Sequence, residues 1–137
     1  MANKGSFLTT DDYFGMNNYL GVNDYLVSAV SADGQCFIIL QGDGNLVIYH
    51  GSGPSNQGLP IWASHTNRGP GEYFAILQSD GNFCIYQGSD PSHQGAFVWN
   101  SGSTELGQGL YFAVMYSSGN FVIYKGQPTL APWLWSV

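Results

Sequence analysis

Three stretches of the chain repeat one another. The segments Gln41-Gly-Asp-Gly-Asn-Leu-Val-Ile-Tyr49, Gln78-Ser-Asp-Gly-Asn-Phe-Cys-Ile-Tyr86 and Tyr116-Ser-Ser-Gly-Asn-Phe-Val-Ile-Tyr124 align without gaps. Their starts, at 41, 78 and 116, lie 37 and 38 residues apart, within the range of repeat architectures. The flanks repeat too. An apolar run precedes each core, at 36–40, 73–77 and 111–115. Gly51, Gly88 and Gly126 follow, then Pro54, Pro91 and Pro128, and Trp62, Trp99 and Trp135 close the units. A unit this short cannot bury enough apolar surface alone. The 137 residues therefore read as one domain, 1–137, whose units share a core about a pseudo-threefold axis. The repeated Trp, with the largest apolar surface in each unit, is its natural centre.

Each unit reads as short strands joined by Gly turns. In the first, strands are expected at 25–29, 35–41, 45–50 and 60–64, with a turn at Asp33-Gly34 and another at Gly42-Asp43-Gly44. Three such units give eleven or twelve strands and essentially no helix, an all-β fold. Before them, Phe7, Leu8, Tyr13, Phe14, Tyr19 and Leu20 suggest a segment that packs. Composition excludes other classes. Only three cations, Lys4, Arg68 and Lys125, stand against nine carboxylates. They cannot line a phosphate backbone, so no nucleic acid is expected. No run approaches the ~20 apolar residues of a membrane-spanning helix, so no membrane insertion is expected.

In a hairpin with a three-residue loop, Gln41 lies opposite Asn45. Alternation then puts Leu46 and Ile48 on one face and Asn45, Val47 and Tyr49 on the other. The first set is large and apolar in every repeat (Phe83 and Ile85, Phe121 and Ile123) and belongs to the core. The second face gathers Gln, Asn and Tyr, with Asp43 at the tip. That set suits a neutral polyol. A sugar hydroxyl both donates and accepts; Asp only accepts, while Asn, Gln and Tyr do both. Val47 can meet the ring carbons. An Asp-Gly-Asn run is also simply a hairpin turn, but a turn does not explain the recurring Gln and Tyr.

The pattern Gln-x-Asp-x-Asn-x-Val-x-Tyr resembles the mannose-binding signature of the bulb-type lectins, the monocot mannose-binding family. The first core matches it throughout, and Ile-Trp-Ala-Ser at 61–64 is similar as well. The resemblance runs from about residue 20 onward. It implies a β-prism II fold: three four-stranded antiparallel sheets around a Trp-lined core. It implies that Gln41, Asp43, Asn45 and Tyr49 hydrogen-bond mannose while Val47 packs on its ring. Gln78, Asp80, Asn82 and Tyr86 match in the second core, with Cys84 in place of Val. In the third, Tyr116 and Ser118 replace Gln and Asp. Asn120, Val122 and Tyr124 then make a weak or degenerate site. The family's half-cystines would fall at Gly44 and Tyr73, so that bridge is absent, and Cys36 and Cys84 are expected to stay unpaired.

The resemblance further implies a homodimer. Only Ser136 and Val137 follow the last Trp, so any exchange of C-terminal segments would be short. The extended Gly-Pro-Ser loops, and an N-terminal stretch without the apolar core of a secretory signal, resemble the lily-type, pufflectin-like lectins of fish skin mucus. Release to mucus by a non-classical route is the compartment this implies, with the cytoplasm as alternative. The role implied is an innate-defence agglutinin for mannose-rich glycans of microbes or parasites. No cofactor or metal is expected; Asp43-Gly44-Asn45 lacks the later carboxylate of a calcium loop. His50, His65 and His93 occupy non-equivalent positions and read as solvated. No acid/base pair or nucleophilic triad assembles, so an enzyme is not expected. The rival reading is a structural or protein-interaction β-prism with vestigial sugar sites.

Overall fold

The computed structural model describes residues 2–10, 18–104, 109–126 and 133–137. Tyr13, Phe14 and Pro128 lie outside them. Each repeated core forms the second strand of a hairpin. β4 (Cys36–Leu40) pairs antiparallel with β5 (Leu46–His50), from Leu40 opposite Leu46 to Cys36 opposite His50. β7 (Tyr73–Leu77) and β8 (Phe83–Gln87) repeat that register, as do β10 (Tyr111–Met115) and β11 (Phe121–Lys125). The loops need one residue at positive φ, and Gly44, Gly81 and Gly119 supply it at 87°, 89° and 93°.

A third strand closes each unit: β6 (Pro60–Ala63), β9 (Phe97–Asn100) and β12 (Trp133–Ser136). The register shifts after Ile48, Ile85 and Ile123, so every unit carries the same bulge. The fourth strand comes from elsewhere. β1 (Phe7–Thr9) pairs with β10, β2 (Tyr19–Gly21) with β7, and β3 (Tyr25–Val27) with β4. The strand expected at 25–29 is thus shorter, and the N-terminal segment edges all three sheets in turn. The orders are β3-β4-β5-β6, β2-β7-β8-β9 and β1-β10-β11-β12. This is the β-prism II arrangement. Only two short 3-10 turns, at Pro54–Asn56 and Pro91–His93, interrupt the described β structure.

Leu46, Phe83, Phe121, Ile48, Ile85 and Ile123 are fully buried on the inner faces. Trp62, Trp99 and Trp135 meet edge-to-face, with centroids 5.8, 6.1 and 6.2 Å apart. They are only partly buried, because each sits on a strand at a sheet edge with one flank open. The centre is therefore the Leu/Phe/Ile set, and the Trp triangle packs against it.

Each turn also rests on the next unit. A Cβ added at Gly44 would lie 2.9 Å from the Tyr73 ring, and one at Gly81 would lie 2.9 Å from the Tyr111 ring. At the third turn the Ser117 carbonyl accepts from Cys36 Sγ at 3.4 Å. The contacts run from unit one to two, two to three and three to one. Tyr73 fills the place where the resemblance puts the family's disulfide, and Cys36 and Cys84 are free thiols.

Candidate functional site

The polar atoms of the first core converge on the outer face of its sheet. The Gln41 backbone N–H donates to the Asn45 carbonyl at 2.9 Å, which fixes these two residues opposite each other. Gln41 Nε2 donates to the Tyr49 hydroxyl at 2.6 Å, so the phenol keeps its own proton to donate elsewhere. Asp43 Oδ1 accepts from the Asn45 backbone N–H at 3.0 Å and Oδ2 from Asn67 Nδ2 at 2.8 Å. Each oxygen retains a further lone pair. Asn45 Oδ1 accepts from Ser64 Oγ at 3.3 Å and from the Thr66 backbone N–H at 3.2 Å. Its amide nitrogen has no hydrogen-bond partner among the described residues. Val47, 3% exposed, forms the apolar floor between Asn45 and Tyr49.

The second core builds the same arrangement. Gln78 Nε2 donates to Tyr86 Oη at 2.7 Å, and Asp80 Oδ1 accepts from the Asn82 N–H at 3.0 Å. Asn82 Oδ1 accepts from the Gly102 N–H at 3.0 Å and from Ser101 Oγ at 3.4 Å. Cys84 takes the Val47 position at 2% exposure. Its thiol also donates to Gln78 Oε1 at 3.4 Å, a polar contact that valine cannot make. Burial, then the Cys84 sulfur, pushes the Tyr86 phenol pKa upward, against the lowering effect of its Gln78 bond.

Two supporting layers escaped the sequence reading. Behind each Asn stands a hydroxyl pair: Ser64 and Thr66 at 2.7 Å, Ser101 and Ser103 at 2.6 Å. Thr66 and Ser103 bond the Gly44 and Gly81 carbonyls at 2.7 Å, locking the turns. The pairs recur 37 residues apart (64 and 101, 66 and 103), a visible signal. The second layer is aromatic. Buried Phe37 stacks on Tyr49 at 5.5 Å, and buried Phe74 on Tyr86 at 5.6 Å. These rings fix the positions of the two phenols.

No family model matches the sequence, and no curated protein matches it. Solved structures do. A monomeric monocot mannose-binding lectin from Gastrodia elata aligns with a TM-score of 0.67 and 25% identity, over 96% of this chain and 93% of that one. A lectin from Allium sativum aligns at 0.63 and 32% identity, over 89% of this chain and 95% of that one. The chain belongs to the bulb-lectin family. The mannose-specific agglutinin of snowdrop, Galanthus nivalis, complexed with methyl-α-D-mannoside, shares the fold of this bulb lectin at 0.63 and 26% identity, over 89% and 91% of the two chains. Its place in a lectin family makes this chain a non-enzyme.

The third core of this bulb lectin is wired differently. Tyr116 and Tyr124 bond hydroxyl to hydroxyl at 2.9 Å. Burial, then that bond, pushes the Tyr116 pKa up to about 12. Asn120 Oδ1 accepts from Ser118 Oγ at 2.8 Å, and its Nδ2 donates to the Val137 carbonyl at 2.7 Å. Val122 keeps its place on the outer face, opposite Ser136. Val137 stands where the other units have Ser64 and Ser101, each bonded through its backbone N–H to the residue after the core Asn. The Asn amide, directed outward in the first two cores, is engaged here.

The histidines are all exposed. Cys36 Sγ is 3.7 Å from His50 Nδ1, and burial pushes its pKa upward. Asp90 accepts from the Ser92 hydroxyl at 2.6 Å and contacts His93 Nδ1 at 2.8 Å. Those two bonds hold its pKa down at about 2. Among the described residues no group of His, Cys, Asp or Glu could hold a metal ion.

Proposed function

We propose that this bulb lectin binds mannose and mannose-rich glycans through Gln41, Asp43, Asn45, Val47 and Tyr49, and through Gln78, Asp80, Asn82, Cys84 and Tyr86. The observation that carries the reading is the pair of outward carboxamide nitrogens, Asn45 Nδ2 and Asn82 Nδ2. Each lies between a carboxylate that can accept and a phenol that can donate. Vicinal hydroxyls need that alternation, and a carboxylate–hydroxyl bond is stronger than a neutral one. Val47 and Cys84 offer an apolar floor to ring carbons. The snowdrop agglutinin, complexed with methyl-α-D-mannoside, supports mannose as the hexose. Asn120, Val122 and Tyr124 form the weak third position.

A single shallow hexose site binds weakly because few atoms touch the protein. Two sites per chain and a homodimer give avidity. Such a protein agglutinates microbes or parasites that display mannose-rich glycans, as the fish mucus lectins it resembles do, after non-classical release. Retention on mannose-agarose, with release by methyl-α-mannoside, tests the function. Wild type is retained and the double variant Asn45→Ala with Asn82→Ala runs through. Wild type running through sinks the lectin reading. A double variant retained like wild type sinks the site assignment.

A further inference from the structure

The three sheets place different residues beside the signature tyrosine. In the ladder, Tyr49 faces Pro60, Tyr86 faces Phe97 and Tyr124 faces Trp133. Directly opposed residues share a face, so Phe97 lies on the outer face beside the second site. Its ring meets Tyr86 edge-on at 6.1 Å and 74°. The bulge after Ile85 produces this placement. It turns Val98 inward, to 7% exposure, and leaves Phe97 54% exposed. Bulges beside sites commonly re-aim a side chain in this way.

We propose that Phe97 extends the second site into a subsite for the next sugar of a linked glycan. This rests on the mannose reading above. Tyr86 lies between two phenylalanines, Phe74 on one flank and Phe97 on the other. Phe74 is sealed in the sheet; Phe97 is open. Neighbouring strands lie ~4.8 Å apart, about one pyranose width, so a hexose linked to the first on the Tyr86 side arrives over β9. A phenyl ring cannot hydrogen-bond a hydroxyl, but its face suits the C–H side of a pyranose. The platform is rigid. The Gln87 N–H donates to the Ala96 carbonyl at 2.8 Å, and the Gly95 N–H donates to the Gln87 carbonyl at 2.7 Å. These bonds clamp the backbone just before Phe97, so little ordering is lost on binding. Pro60 gives the first site no such ring. The two sites should therefore differ in what they gain from a longer ligand.

The test compares ratios. Chains carrying Asn45→Ala, which leaves only the second site, are titrated with methyl-α-mannoside and with the best-bound α-linked mannobiose. Adding Phe97→Ala should lower the disaccharide-to-monosaccharide affinity ratio about fivefold, the scale of one ring contact. Adding Pro60→Phe to an Asn82→Ala chain should raise the same ratio at the first site. Methyl-α-mannoside binding with a ratio unmoved by Phe97→Ala overturns the subsite alone. A change confined to self-association, read by sedimentation, makes Phe97 a subunit contact and also overturns it. No binding of either sugar to the Asn45→Ala chain overturns the second mannose site, and the subsite with it.

Discussion

The first and third hairpins share one strand register, yet their polar groups point to opposite ends. In the first, Ser64 and Thr66 hold the Asn45 oxygen and leave its amide outward. In the third, Ser118 bonds the Asn120 oxygen while the amide turns to the Val137 carbonyl. Gln41 donates to Tyr49 in one; two phenols share a bond in the other. A hairpin with the right Asn and Tyr is therefore not yet a site. The loop after the closing strand decides which end of the carboxamide faces solvent.

The contrast extends to what lies under each turn, and stability can probe it. An Ala side chain at Gly44 would meet the Tyr73 ring at 2.9 Å, at a φ of 87°. At Gly119 it would meet only the end of Ile61, at 3.2 Å. Both substitutions carry the left-handed backbone cost of roughly 1 kcal/mol. Gly44→Ala adds a clash with a buried ring, so denaturant unfolding should show a loss of about 2 kcal/mol or more, clearly above that of Gly119→Ala. Equal losses would remove the inter-unit contact from the account.

Alkaline titration separates the third hairpin next. The Tyr116 pKa is raised to about 12 in the fold, against ~10 unfolded. A raised pKa contributes stability that is full below pH ~10 and lost as pH climbs toward about 12. Phenolate absorbance should show this late step in wild type and lose it in Tyr116→Phe. A late step that survives belongs to another tyrosine. The smallest effect is expected within the first two sites. Cys84→Val removes the thiol contact to Gln78 but keeps the apolar floor. The second site should then change mannoside affinity less than about threefold, and stability less than ~1 kcal/mol. A larger loss on calorimetric titration would make the thiol part of the recognition.

What the sequence showed was local and repeated. Gln41 opposite Asn45, the inward Leu46 and Ile48, and the glycine turns all follow from spacing within a single hairpin. The edge strands did not. Phe7–Thr9 pairs with residues about a hundred positions away, and three-residue strands carry no alternation to read. The hydroxyl pairs recur at the right period, but Ser and Thr are common in loops, and only the fold shows that they grip an Asn. Phe97 looked like one more strand aromatic. The bulge that turns it outward is a property of pairing, not of composition.

The central claim is that two hairpins bind and the third does not. Calorimetric titration with methyl-α-mannoside measures this directly. The account predicts two sites per chain, falling to one in Asn45→Ala and staying at two in Asn120→Ala. Three equivalent sites, or a site lost in Asn120→Ala, would contradict it.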